Sequence, residues 1–322
     1  MAVRARDKAD LYEQLAGLLE AGVPITRAIG MLRDRGAGGS VAPALRRCGA
    51  RMADGQALSA SMASDKAAWQ AFESEVVAAG EEAGRMVPLL RELGRYWRMM
   101  DETRRRVLAG LVYPMLVLHV AIFAGNVPVA IASGVGAYAR VVAVSLALMY
   151  AAMWFFWEIG VSRAGLGLLG RLPVFGAAVS ALGSLRFALC LRLQVEAGIP
   201  ILTALPRAAL AGGGPAMAAR AEGSVRRLRD GAPIGEVMGE LFDRDARMPA
   251  LLATGVESGR ISEVLRMIEA DASASWAEAM GLLQVWVPRA LYFMAMAFAV
   301  WQIARLAAGI FGAYGEAASL EW

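Results

Sequence analysis

A chain of 322 residues with 57% hydrophobic and only 19% charged residues, at a mean hydropathy of +0.47, is not composed like an ordinary soluble domain and asks for a membrane if its apolar residues run together. The net charge of +4 comes from arginines mixed with carboxylates; no basic block interleaved with aromatics occurs, which argues against a nucleic-acid partner. Two cysteines and one histidine make neither a disulfide framework nor a zinc site.

The first residues, MAVRARDKAD, lack an apolar core, so no signal peptide is expected. Leu11, Leu15, Leu18 and Leu19 then share one helical face. The phrase EAGVPI at 20–25 follows. Gly22 suits the left-handed cap that stops a helix and Pro24 the start of the next, so the phrase predicts a tight corner between antiparallel helices. Asp54-Gly55 predicts a second corner. GEEAGR at 80–85 can be read in two ways: as another helix end capped by Gly84, or as a contact in which Glu82 holds a partner or pins a dimer. Leu89, Leu90, Leu93, Trp97 and Met100 continue one helical stripe toward Arg104-Arg105-Arg106.

From Val107 to Ala139, and again from Val141 to Trp157, no side chain is formally charged. Asn126, Pro128 and the Ser133–Gly136 cluster divide this run into two expected membrane helices, about 107–127 and 138–159, joined by a very short turn. A third apolar run, about 285–306, has Arg289 and Arg305 near its ends, where both can reach an interface. Basic residues flank the hairpin at Arg104–Arg106, Arg163 and Arg171, and the tail after Arg305 has none. The bias toward Lys and Arg on the inner side predicts a cytoplasmic N-terminus, a cytoplasmic segment 160–281 and an external C-terminus.

The opening phrase is written twice. EAGIPI at 196–201 repeats EAGVPI, Asp230-Gly231 repeats Asp54-Gly55 at the same offset, and GVESGR at 255–260 repeats GEEAGR one residue out of phase. Three matches in one order make the two polar segments copies of one unit. No alternating β-branched run appears, so each copy reads as a helical bundle of five or six helices. The expected class is therefore an all-α membrane protein with two homologous cytoplasmic bundles, 1–106 and 160–281, around a transmembrane hairpin at 107–159. A final span and short outer tail occupy 282–322. Gly22, Pro24, Gly55, Gly198, Pro200 and Gly231 are the expected structural corners. Glu81, Glu82, Gly84, Arg85, Glu257, Gly259 and Arg260 are the candidate interaction residues.

Other motifs carry less. GLGLLG at 165–170 fits the dinucleotide fingerprint in letters, but a span precedes it and no acid stands about 20 residues on. No phosphate-binding GxxxxGK[ST] occurs. His119, inside the first span, has no acidic neighbour in that helix, so a neutral imidazole hydrogen-bonded between helices is expected rather than a proton path. Paired catalytic groups at a readable spacing are missing, which argues against an enzyme. A transporter or channel is the distant alternative; there the repeated units would be the spans themselves.

EAGVPI with EAGIPI, the paired Asp-Gly corners, GEEAGRM with GVESGRI, and Tyr113-Pro114 within the first span together resemble the GspF/PilC family of inner-membrane platform proteins of type II secretion and type IV pilus machines. Departures are Ala83 for a usual Ser and Val256 where the first Glu would stand. The short leader is similar to members serving type IVb and conjugative thin pili. The resemblance implies a non-enzymatic scaffold without cofactor or metal in the bacterial inner membrane. Its implied partners are a cytoplasmic assembly ATPase, pilins or pseudopilins, other inner-membrane assembly proteins and further copies of itself.

Overall fold

The computed structural model describes residues 3–34, 39–161, 173–233, 236–237 and 247–319. Every regular element among them is helical. The spacing that places Leu11, Leu15 and Ala16 on one face makes them the buried side of α1 (Ala5–Glu20). Ala28, Ile29 and Leu32 do the same for α2 (Ile25–Asp34), and Leu45, Cys48 and Met52 for α3 (Ala42–Ala53). Short α4 (Leu58–Ala63) packs on α5 (Ala71–Ala83). Then comes α6 (Met86–Gly125), continuous over 40 residues with Pro114 inside it.

The second half repeats this order. Helix α7 (Val127–Val161) breaks at Gly134, where φ is 81°. It is followed by α8 (Pro173–Glu196), α9 (Ile201–Arg229), α10 (Arg247–Glu257) and α11 (Ile261–Ser319). By repeat position α8 corresponds to α1, α10 to α5 and α11 to α6. Helix α9 corresponds to α2 and α3 together, and its left-handed Gly214, followed by Pro215, stands where the first copy has a longer linker. The counterpart of α4 lies almost wholly outside the described residues, as does GLGLLG.

The chain divides into two compact units. One comprises Met1–Arg104 and Ala178–Glu278, so that both copies of the repeat pack into a single helical body. The other comprises Arg105–Ala177 and Ala279–Trp322. In the first, Glu73 is fully buried and its carboxylate accepts hydrogen bonds from Lys8 Nζ (2.6 Å), Tyr12 Oη (2.6 Å), Trp97 Nε1 (3.0 Å) and the Gln70 backbone N–H (2.7 Å). Burial pushes the Lys8 ammonium down and the Tyr12 hydroxyl well up from their ordinary ranges, and Glu73 opposes the fall at Lys8.

In the second unit, Leu118, Ile122 and Val142 form a small core with Tyr138, Leu146 and Met149. Val112, Leu116, Leu148, Phe293 and Met296 instead face outward, a surface suited to lipid rather than water. The hairpin differs from expectation at its tip. Instead of one short turn between 127 and 138, the chain turns at Asn126, which is buried and donates Nδ2–H to the Ile122 carbonyl at 2.7 Å, resumes as helix at Val127, and breaks at Gly134. His119 is hydrogen-bonded between helices, as expected. Its Nδ1–H donates to the Met115 carbonyl at 2.7 Å and Nε2 lies 2.9 Å from the Tyr150 hydroxyl of α7.

Among the described residues, three helical stretches are long and apolar enough to cross a membrane: Met86–Ile131, Ser133–Ala151 and Gly176–Glu196. The first two are the expected hairpin. The third lies in the segment expected to be cytoplasmic, and half of its most apolar window is buried within the protein. Its Arg186 and Arg192 are engaged there: Arg186 Nε donates to the Tyr96 hydroxyl at 2.9 Å, and Arg192 pairs with Glu269 and with Glu196 at 2.9 Å. Composition therefore does not separate a core helix from a span, while its polar partners mark this one as core. The run expected as the third span, 285–306, lies in α11, and many of its side chains fall outside the described ones.

Candidate functional site

The two copies share one set of corners. At EAGVPI, Gly22 has φ 81°; its N–H donates to the Leu19 carbonyl (2.9 Å) and that of Val23 to Leu18 (3.0 Å). At EAGIPI, Gly198 has φ 93°, with Gly198 N–H to Val195 and Ile199 N–H to Gln194, both at 3.0 Å. These are the paired bonds of a left-handed helix cap, which only glycine adopts without strain. Gly55 and Gly231 close the second corner with the same bonds, to Met52 and Leu228. Pro24 and Pro200 stand just ahead of the first helical residue, their carbonyls accepting from Ala28 and Ala204.

The GEEAGR and GVESGR motifs end α5 and α10 with Gly84 (φ 65°) and Gly259 (φ 69°). The first glycine of each has another use. A methyl group on Gly80 would come within 2.7 Å of Met86 Sδ, and one on Gly255 within 2.9 Å of Val264. These glycines let the following helix lie close against the capped one.

The charged members do three separate things. Glu81 turns inward: its carboxylate accepts the Leu58 N–H (2.8 Å), the Ser59 N–H (3.3 Å) and the Ser59 hydroxyl, so it closes the start of α4. Val256 stands in its place in the second copy and cannot. Glu81→Ala is expected to cost about 1–2 kcal/mol, the size of a lost helix cap, and to speed hydrogen exchange at Leu58 and Ser59. Unchanged protection there would remove this role. Glu82 makes two bonds at 3.0 Å to Arg207 of α9. Arg85 Nη1 donates to the Glu196 backbone carbonyl at 2.7 Å. The motif of the first copy thus docks on the EAGIPI corner of the second. Arg260 is exposed, and among the described residues its side chain has no hydrogen bond or ion pair. The side chain of Glu257 lies outside those described.

Sequence reasoning missed the arginines that hold this arrangement. Arg91 pairs with Glu20 in the first copy, and Arg266 pairs with Glu196 at 2.9 Å in the second. These two arginines stand at equivalent positions after the motif, so reading the repeat a few residues further would have found them. Arg207 carried no such signal, because Met31 stands at its position in the first copy.

Residues 11–132 match the family "Type II secretion system (T2SS), protein F". Over 300 residues the chain is 26% identical to the type 4 fimbrial assembly protein PilC of Pseudomonas putida, covering 83% of this chain and 73% of that one. Its residues 11–132 carry that family's signature, and along most of its length the chain is similar to GspF/PilC proteins. Other GspF/PilC relatives are type II secretion system protein F of Pseudomonas aeruginosa, 25% identical over 90% of this chain and 78% of its own length, and that of Aeromonas hydrophila, 22% identical over 79% and 73%. The family match covers the first copy and the first span, and the longer alignments extend the likeness through the second copy, whose GVESGR cap is built like the first.

Cys190 is buried beside Gln194, and burial pushes its thiol up to about 12. In the folded chain it is expected to stay unlabelled by a maleimide at pH 8, and to react once urea unfolds the bundle. Rapid labelling of the native chain would contradict this burial.

Proposed function

We propose that this chain is a non-enzymatic platform of a type IV pilus machine in the bacterial inner membrane, of the type IVb or conjugative thin-pilus kind. In this role it couples a cytoplasmic assembly ATPase to the polymerisation of pilins. The observation that carries the reading is likeness along most of the chain to a type 4 fimbrial assembly protein, together with a duplicated helical unit whose residues are spent on holding itself together. The pairing of Glu82, Arg85 and Glu81 supports a scaffold rather than a reaction centre. Equal likeness to protein F of type II secretion systems supports the second reading, a secretion platform acting on pseudopilins.

The chain crosses the membrane three times on this reading, at 107–127, 138–159 and 285–306, with the N-terminus and both copies of the repeat cytoplasmic and the C-terminus periplasmic. The continuous α6 supplies a mechanical link, since a rigid helix carries displacement along its axis. Inserting several glycines beside Asp101 is expected to abolish pilus assembly while the protein still accumulates in the membrane. Normal piliation of that variant would remove the coupling.

The test of the platform itself is crosslinking in intact cells, followed by gentle solubilisation and capture through a C-terminal tag. Recovery of an assembly ATPase with pilins is expected. Pseudopilins in their place would favour the secretion platform. A small-molecule permease or periplasmic binding protein would instead overturn both in favour of a transporter.

A further inference from the structure

One exposed face of α11 carries a single charge among apolar side chains. Leu282, Trp286, Phe293, Met296 and Val300 recur on it at helical spacing, and all are exposed. Arg289 stands within the same stripe and is exposed as well. Its guanidinium lies over the Trp286 ring, 5.6 Å from the centroid, a stacking that steadies the cation without neutralising it. Between Glu278 and Glu316 the sequence has no acidic residue, and Glu278 stands about 16 Å back along the helix. Among the described residues no carboxylate pairs with Arg289.

Aromatic rings mark the level at which this arginine lies. One turn on, Tyr292 meets Tyr113 of α6 with ring centroids 5.8 Å apart, and Tyr113 is itself exposed. Exposed Trp and Tyr rings gather where a membrane meets water, the apolar body inward and the polar edge toward the headgroups. The inference rests on the reading of 285–306 as a membrane span that starts at the cytoplasmic face. Both helices then leave the cytoplasm in the same direction, and Arg289 lies one turn nearer the inner surface than the tyrosine pair. A cation facing lipid is costly unless an anion comes to it. At that level the anion at hand is a lipid phosphate, in a leaflet whose surface is negative.

We propose that Arg289 and Trp286 bind the headgroup phosphate of an anionic phospholipid of the inner leaflet, whose acyl chains lie along Phe293, Met296 and Val300. The planar guanidinium offers two parallel N–H donors to two phosphate oxygens, and the indole beneath it holds that plane. The site is the same whether the machine builds a pilus or secretes.

The test uses the full-length chain reconstituted in nanodiscs of equal parts phosphatidylglycerol and phosphatidylcholine, released into mild detergent and weighed by native mass spectrometry. Wild type is expected to retain phosphatidylglycerol over phosphatidylcholine. Arg289→Gln should lower that preference roughly fivefold, the attraction of one arginine for an anionic leaflet. Arg289→Lys, which keeps the charge without the planar stack, should fall between. Equal retention of the two lipids by wild type would overturn the proposal, because a carboxylate then already neutralises the arginine. A preference unchanged in Arg289→Gln would overturn it as well, and so would displacement of the lipid by added inorganic phosphate, which would assign the site to the free anion. Phe293→Cys checks the span separately, against the buried Cys48 and Cys190. It should resist a membrane-impermeant maleimide in native membranes and react in detergent. Labelling in both would remove the span and the lipid site together, whereas a shielded Phe293→Cys with no lipid preference removes the lipid site alone.

Discussion

Glu73→Ala is expected to be among the most damaging single changes in the helical unit, costing about 3–5 kcal/mol, the usual loss when one partner of a buried ion pair is removed. The side chains of Glu73 and Lys8 are 0% and 2% exposed. Removing the carboxylate leaves an ammonium, a phenol, an indole N–H and a backbone N–H facing one another without an acceptor. The Trp97 ring, 4.3 Å from Lys8 Nζ, softens the loss but cannot neutralise the charge. Pulse proteolysis of the full-length chain across a urea series would read the effect. Glu73→Gln should fall between wild type and Glu73→Ala, because it keeps an acceptor for Tyr12 and Trp97. If Glu73→Ala resists protease like wild type, the four-donor knot is not what anchors α1.

The second large effect is steric. Helices α8 and α9 touch backbone to backbone at two glycines. A methyl group on Gly212 would lie 2.5 Å from the Gly183 carbonyl oxygen and 2.7 Å from Phe187 Cβ. Neither neighbour is the loose end of a side chain, so Gly212→Ala forces the helices apart. A loss of about 1–3 kcal/mol is expected, the usual cost of overpacking a tight core. Gly17→Ala gives the opposite sign. Gly17 lies inside α1 with nothing within 4 Å of the added carbon, and replacing a helical glycine by alanine contributes about 0.5–1 kcal/mol. Measured side by side in the same urea series, the two alanines should move in opposite directions. Equal shifts would mean that helix propensity and not the crossing governs Gly212.

Much of this protein was legible from one sequence because the legible part is local. A left-handed cap is a property of a few consecutive residues, so EAGVPI, Asp54-Gly55 and GEEAGR announced their geometry, and duplication removed the ambiguity any one phrase would have left. The hairpin spans were equally plain, since a bilayer demands a long run of apolar side chains and the uncharged stretches 107–139 and 141–157 supply it.

Local composition does not decide whatever depends on a distant neighbour. Gly176–Glu196 has the composition of a span, yet Arg186 and Arg192 find Tyr96, Glu269 and Glu92 within the folded unit. Where a single short turn is expected between 127 and 138, the chain is helical from Val127 to a break at Gly134, with Asn126 donating to the Ile122 carbonyl just ahead of it.

The motif carboxylates divide along the same line. By itself the sequence determined that both copies end a helix at Gly84 and Gly259 and begin the next in the same way, because backbone dihedrals answer to adjacent residues. Only the tertiary structure decided that Glu81 turns inward to α4, that Glu82 finds Arg207, and that Arg85 reaches across to the other copy's corner. A charged side chain is long and takes whichever partner folding brings within reach, and that partner lies 22 positions away for Ser59 and 125 for Arg207.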